Sequence, residues 1–173
     1  MSVINIEIKA KSSNNTRIRN ILKKLSADFK GVDHQIDTYF QIKKGRLKLR
    51  EGNIENALIH YNRENKAGPK QSTVTFYHSQ SKKDLKNILS KALDIRVVVD
   101  KKREIYFIDN VKFHLDTVKR LGTFVEIEAI DSDGKIGKKK LLKQCNYYLK
   151  LFGINKKDLL SVSYSDLLLK KSQ

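Results

Sequence analysis

The sequence predicts an α+β fold in which an antiparallel sheet of about eight strands closes into a barrel, with helices packed outside. Three observations support this prediction. Most of the predicted strands follow one another along the chain, as they do in antiparallel sheets. Neither of the two common glycine-rich phosphate loops is present. The polar faces of the strands carry sorted charges, whereas a half-exposed strand usually carries mixed polar residues.

The strands are located by the alternation of apolar and polar residues. In residues 3–11 the isoleucines point to one face and the polar side chains to the other. The Asp109-Asn110 pair suits a two-residue hairpin turn. The remaining strands are predicted over residues 34–42, 45–51, 56–64, 72–79, 95–100, 103–108, 111–116 and 123–130.

The helices are located by apolar residues at a spacing of three and four. Gly153 provides a natural end to the longest of them. The chain contains no low-complexity linker and no clear repeat, so we expect a single domain over residues 1–173. The four predicted helices cover residues 14–28, 82–93, 136–152 and 163–170.

The charge balance indicates a polyanionic partner. Lys+Arg number 36 against 19 Asp+Glu, which gives a net charge of +17. Nucleic acid, phosphate compounds and anionic membranes all attract such a chain. No stretch approaches the ~20 apolar residues of a membrane span. The single cysteine, Cys145, allows no internal disulfide and suits a reducing compartment. We therefore expect a cytoplasmic protein that does not bind a membrane.

Six predicted strands concentrate charged side chains on one face. Any one of these charged faces, taken alone, could be the solvated outer face of a basic sheet. Read together, they favour a closed sheet, because curling brings cationic rows opposite acidic pairs and leaves the apolar faces for the helices. The side chains concerned are Glu7, Lys9, Arg46, Lys48, Arg50, Arg63, Lys101, Arg103, Lys112, His114, Asp116, Glu126 and Glu128.

A polar channel of this kind suits a triphosphate. Rows of Arg and Lys bind phosphate oxygens through charge-assisted hydrogen bonds. Carboxylates beside them would repel the anion unless hard cations lay between, and Mg²⁺ or Mn²⁺ takes such oxygen ligands. Glu7, Glu126 and Glu128 are therefore candidate metal ligands. Six or seven cationic groups match a tri- or polyphosphate better than a monophosphate.

Several short motifs, in order along nearly the whole chain, resemble a known family. Together they are similar to the CYTH domain of the triphosphate tunnel metalloenzymes, most closely to its class IV adenylate cyclase-like branch. The motifs are Asn5-Ile6-Glu7-Ile8-Lys9, Gln35-Ile36-Asp37-Thr38-Tyr39-Phe40, Leu47-Lys48-Leu49-Arg50-Glu51, Tyr61-Asn62-Arg63, Lys101-Lys102-Arg103-Glu104, His114-Leu115-Asp116, residues 121–128 and Ser163-Tyr164-Ser165-Asp166-Leu167-Leu168.

The resemblance implies an eight-stranded antiparallel tunnel and a role for each matching residue. Catalysis is expected from Glu7, Glu126, Glu128 and Asp116, the three glutamates holding Mg²⁺ or Mn²⁺. Triphosphate binding is expected from Lys9, Lys48, Arg50, Arg63, Lys101 and Arg103. Additional candidates are Arg46, His114 and Asn5. Asn5 stands where the family signature Glu-x-Glu-x-Lys has its first glutamate, which puts catalysis rather than binding in question.

The leading hypothesis is a metal-dependent adenylate cyclase that converts ATP to cyclic AMP and pyrophosphate. The alternatives are a triphosphatase acting on tripolyphosphate, thiamine triphosphate or nucleoside triphosphates, and a non-catalytic triphosphate-binding module. A nucleic-acid binder driven by the +17 charge is the least favoured class, since no RNA-binding aromatic signature accompanies the basic residues. The family resemblance also implies a homodimer.

Overall fold

A computed structural model describes residues 2–63, 65–78 and 82–172. Within them the chain forms eight strands, four α-helices and a short 3-10 helix at Lys156–Asp158. The strands are β1 Ser2–Lys11, β2 Asp28–Phe40, β3 Arg46–Glu51, β4 Ala57–Arg63, β5 Lys70–Tyr77, β6 Ile95–Ile108, β7 Val111–Val118 and β8 Gly122–Asp131. The helices are α1 Asn15–Lys24, α2 Lys82–Ala92, α3 Lys138–Leu151 and α4 Tyr164–Lys171.

The eight strands form a closed barrel in the order β1-β5-β4-β3-β2-β6-β7-β8. Every neighbouring pair is antiparallel. The predicted fold class is therefore confirmed. Closure leaves no strand edge unpaired and gives every strand an inner and an outer face.

The register of β1, β7 and β8 brings charged residues together on the inner face. Glu7 lies opposite Glu128 and Lys9 lies opposite Glu126. On the other side of β8, Lys112 lies opposite Glu128. Side chains directly opposite in an antiparallel pair lie close together, so this part of the wall places the carboxylates of Glu7 and Glu128 side by side and flanks carboxylates with cations.

The main apolar core lies between the barrel and the helices outside it. Ile8 and Ile127 point outward from the barrel and are buried with Leu22 of α1 and with Leu141 and Cys145 of α3. Cys145 is fully buried, as the apolar stripe of α3 predicts. The helices thus cover the apolar outer face and leave the charged face inside. None of the described helices is long and apolar enough to cross a membrane.

A second apolar cluster covers one end of the barrel interior. A capping box joins Ser163 and Asp166 and fixes the start of α4. Tyr164 and Leu168 of this helix are buried with Phe124, among other apolar residues on the inner faces of the strands. The polar cavity therefore occupies only the remaining part of the barrel.

Strand β6 differs from the sequence prediction, which divided it into residues 95–100 and 103–108. The structure shows one strand, Ile95–Ile108, paired to β2 on one side and β7 on the other. The charged residues that interrupt the apolar pattern remain extended because Lys101 and Arg103 point inward and find carboxylate partners there. Charge in mid-strand marks the inner wall of the barrel rather than a turn.

Candidate active site

The barrel encloses a cavity of about 380 Å³, lined by most of the residues that the sequence singles out. Arg46 and Asp116 are not among the lining residues. Arg46 donates to Asp166 at the base of α4, at 3.0 Å. The predicted residues that do line the cavity are Asn5, Glu7, Lys9, Lys48, Arg50, Arg63, Lys101, Arg103, His114, Glu126 and Glu128.

Asp37 of β2 organises the cations on one side of the cavity. It accepts hydrogen bonds from Lys48 Nζ at 3.0 Å, Lys101 Nζ at 2.7 Å, and Arg50 Nε and Nη2 at 2.8 and 2.9 Å. Burial alone would raise the pKa of Asp37, but Arg50, Lys101 and Lys48 outweigh it and hold that pKa well below its usual range. One carboxylate thus fixes three candidate phosphate-binding side chains.

Asp116 fixes the position of Arg103 in the same way. Arg103 donates to both oxygens of Asp116, from Nε at 2.7 Å and Nη2 at 2.6 Å, and Nη2 also reaches Glu126 at 3.0 Å. The hydroxyl of Tyr164 donates to Asp116 at 2.8 Å. Because Asp116 is fully buried and both its oxygens are engaged, its geometry is that of a positioning residue behind Arg103.

Glu126 lies on the acidic side of the cavity and is paired within the protein. Its Oε2 lies 3.4 Å from Lys9 Nζ and 3.6 Å from the Nδ1 atom of His114. Burial opposes its ionisation, but Lys9, His114 and Arg103 lower the pKa of Glu126 well below the usual range. Burial also lowers the pKa of His114 to about 3, so this imidazole is neutral near pH 7.

Glu128 is held differently. Burial raises the pKa of Glu128 to about 7, and Lys112 offsets this only in part. Its Oε1 accepts a hydrogen bond from the Asn5 side chain. Glu7 and Glu128 lie opposite each other on β1 and β8, and both line the cavity beside the side-chain amide of Asn5. The resemblance predicts a metal ion at this position.

Several buried polar atoms in the wall have no hydrogen-bond partner among the described residues, including both ring nitrogens of His114. Arg63 donates from Nη1 to Glu7, but its Nε and Nη2 atoms are buried and unsatisfied, as is Asn5 Oδ1. Buried polar groups are nearly always hydrogen-bonded in native proteins. An anion would satisfy the open guanidinium nitrogens, and a cation would satisfy the amide oxygen.

The residues present fit a hard divalent cation whose coordination shell is completed by phosphate oxygens and water. No group of three or more His, Cys, Asp or Glu side chains in the described part of the chain is arranged to hold a metal ion. Mg²⁺, however, is commonly bound by one or two carboxylates together with substrate phosphates and water. The oxygen set of Glu7, Glu128 and Asn5 matches that pattern.

Three residues of the site, Asp37, Glu55 and Lys112, are not identified as site residues by the sequence patterns. Asp37 shares a face of β2 with Tyr39, but this pattern does not identify its three partners. Lys112 falls on a charged face of its predicted strand, but the pattern alone assigns it no role. Glu55 lies in a loop, where no periodicity indicates which way a side chain points. All three line the cavity.

The cavity also has an apolar side, formed by β4 and β5. Ala57, Ile59 and Val74 line it, and Phe76 continues it outward. The Phe76 ring is 41% exposed and lies parallel to the His78 ring at 6.3 Å between centroids. The site therefore offers a charged wall and, beside it, a surface suited to a flat apolar group.

The chain matches the family model of the CYTH domain over residues 3–158. It is 28% identical over 182 residues to a Methanocaldococcus jannaschii protein that carries the name "Putative adenylate cyclase", an alignment covering 95% of this chain and 98% of that protein.

Solved structures show the same architecture. PH1012 protein from Pyrococcus horikoshii matches with a TM-score of 0.76 and 25% identity, over 94% of this chain and 98% of that one. A Hippeastrum protein, described as a "putative adenylyl cyclase" with a dominant triphosphatase activity, matches with a TM-score of 0.59 and 14% identity. That match covers 98% of this chain and 95% of the Hippeastrum chain.

Proposed function

The chain belongs to the CYTH domain family, and on that basis we propose that it is an enzyme that binds a triphosphate inside its barrel together with Mg²⁺ or Mn²⁺. The environment of the Arg63 side chain is the observation that carries this proposal. Its side chain is 3% exposed, it lines the cavity, and two of its guanidinium nitrogens lack a partner among the described residues. An unsatisfied buried donor costs about 1–3 kcal/mol, which a bound phosphate oxygen would recover.

The charge of the lining residues supports a triphosphate with a divalent cation. The described lining contains seven Lys and Arg side chains and five carboxylates, so its formal charge is 7 − 5 = +2. A nucleoside triphosphate carries roughly four negative charges at neutral pH. One divalent cation would bring the filled cavity close to neutrality, whereas the protein alone would leave about two charges uncompensated.

Each part of the wall has a distinct task in this proposal. Phosphate oxygens are held in a preset arrangement by two groups of cations. Asp37 fixes Lys48, Arg50 and Lys101, and Asp116 fixes Arg103. Lys9, Arg63 and the acidic side, with Glu7, Glu126, Glu128 and Asn5, would hold the metal ion and the phosphates next to it. The cation, when bound, neutralises charge that develops on the phosphate as a phosphorus–oxygen bond breaks.

An adenylate cyclase reaction is the preferred form of this activity. The apolar side of the cavity, with Ile59, Val74 and Phe76, supports a substrate with a flat organic group over bare tripolyphosphate. In this reaction the ribose 3′-hydroxyl of ATP attacks the α-phosphate and pyrophosphate leaves. Incubation of the protein with ATP and Mg²⁺ or Mn²⁺ tests it, since cyclic AMP with pyrophosphate is the expected product.

A triphosphatase is the second candidate. The same cavity suits both reactions, whereas Asn5 bears on turnover by either one, because the loss of a carboxylate at this position reduces the charge available to hold metal ions. The Hippeastrum protein, which has the same fold, is described as having a dominant triphosphatase activity, and this supports the second candidate. Orthophosphate from ATP or tripolyphosphate, without cyclic AMP, would identify it. Saturable binding with no product would instead favour a binding module.

A further inference from the structure

Glu55 differs from the other carboxylates that line the described cavity. Glu7, Asp37, Glu126 and Glu128 all belong to barrel strands, whereas Glu55 lies in the loop 52–56 between β3 and β4. Its side chain is 25% exposed, and the neighbouring Ile54 is 44% exposed. The other end of the barrel interior is covered by α4. Glu55 therefore stands at the more open end of the cavity.

The Glu55 carboxylate spans the cavity between two cations. Its Oε2 accepts hydrogen bonds from Arg50 Nη1 at 2.8 Å and Gln35 Nε2 at 3.0 Å, and its Oε1 accepts one from Lys112. Arg50 belongs to β3 and Lys112 to β7, and two strands, β2 and β6, separate them in the barrel. Glu55 therefore bridges Arg50 and Lys112, which lie on strands that are not neighbours.

The loop that carries Glu55 is tightly anchored. The buried carboxylate of Asp33 accepts hydrogen bonds from the backbone N–H groups of Asn53, Ile54 and Glu55, at 2.6, 2.9 and 2.9 Å. A Cβ at Gly52 would lie 2.6 Å from the Glu55 carbonyl oxygen and 2.7 Å from Asp33, so only glycine fits there. Glu55 is therefore a fixed part of the cavity wall.

We propose that Arg50 and Lys112 form an outer anion subsite that Glu55 occupies, and that this carboxylate disfavours a phosphate chain that extends beyond the triphosphate into the open end of the cavity. Carboxylates and phosphates make the same charge-assisted hydrogen bonds to Arg and Lys, so they compete for this pair. A fourth phosphate group would meet the fixed negative charge of Glu55. This inference rests on the proposed triphosphate site.

The test compares the binding of tripolyphosphate and tetrapolyphosphate by calorimetry, with Mg²⁺ present, using the full chain. The wild type is expected to bind tripolyphosphate about tenfold more tightly than tetrapolyphosphate, because like charges in one site repel. Glu55→Gln should remove this preference by raising the affinity for tetrapolyphosphate. Glu51→Gln is the matched control: it removes the same charge from the same hairpin, where Glu51 pairs with Lys86.

The double variant Glu55→Gln/Lys112→Met supplies a second readout and should lose the gained tetrapolyphosphate affinity. Circular dichroism establishes that each variant is folded. An unchanged preference in Glu55→Gln, with tripolyphosphate still bound, would overturn the outer subsite and leave the proposed function intact. Failure of the wild type to bind tripolyphosphate at all would contradict the proposed function and the subsite with it.

Discussion

Replacement of Asp37 by asparagine should cost this protein a large part of its stability. The substitution preserves size but removes the one negative charge that Lys48, Arg50 and Lys101 share. Removing one partner of a buried ion pair typically costs 3–5 kcal/mol, since an uncompensated charge is left behind. Asp37 is 1% exposed and has three such partners, so we expect about 4 kcal/mol or more.

Chemical denaturation of wild type and Asp37→Asn, monitored by circular dichroism, measures this cost. Asp100→Asn is a matched control on the outside of the same sheet. Asp100 pairs with His34 at 2.8 Å and Lys119 at 3.7 Å, but its side chain is 34% exposed. Exposed pairs contribute about 0.2–1 kcal/mol, so the control should remain close to wild type. Equal losses in the two variants would refute the central role given to Asp37.

Three further predictions concern single side chains. Arg63→Lys keeps the positive charge beside Glu7 but removes the two unpartnered nitrogens, so calorimetry should show triphosphate affinity reduced by about tenfold; equal affinity would mean that these nitrogens do not meet the ligand. Glu128→Gln should lower metal-dependent turnover at least about tenfold in a product assay while the circular dichroism spectrum is kept; full activity would remove Glu128 from the metal set. Cys145 should resist thiol reagents in the folded protein and react after unfolding, because burial raises the pKa of its thiol to about 12; rapid labelling of the native protein would contradict its placement in the core.

Much of the barrel could be predicted because alternation along a strand fixes which side chains share a face. Lys9, Arg50 and Glu126 were assigned to the inner face on this basis, and the structure places them there. The same reasoning was wrong at β6, where it predicts two strands, 95–100 and 103–108, and the structure has one, Ile95–Ile108. In a barrel with a polar interior, charge within a strand is compatible with burial when a partner faces it.

The partners themselves could not be predicted from local pattern. Asp37 and Arg50 lie opposite each other on adjacent strands, yet Lys101 reaches the same carboxylate from β6 on the other side of β2. Glu55 and Lys112 lie 57 positions apart in the chain and meet only because the barrel closes. Such contacts depend on strand order and register, which the sequence of each strand does not encode on its own.

The central claim is that the barrel interior binds a triphosphate with a divalent cation, and a calorimetric titration tests it most directly. ATP would be titrated into the protein in Mg²⁺ and, separately, in EDTA. Saturable binding of one ATP per chain, stronger in Mg²⁺ and weakened by Arg63→Lys, is the predicted result. Absence of saturable binding in Mg²⁺ and in Mn²⁺, for both ATP and tripolyphosphate, would contradict it.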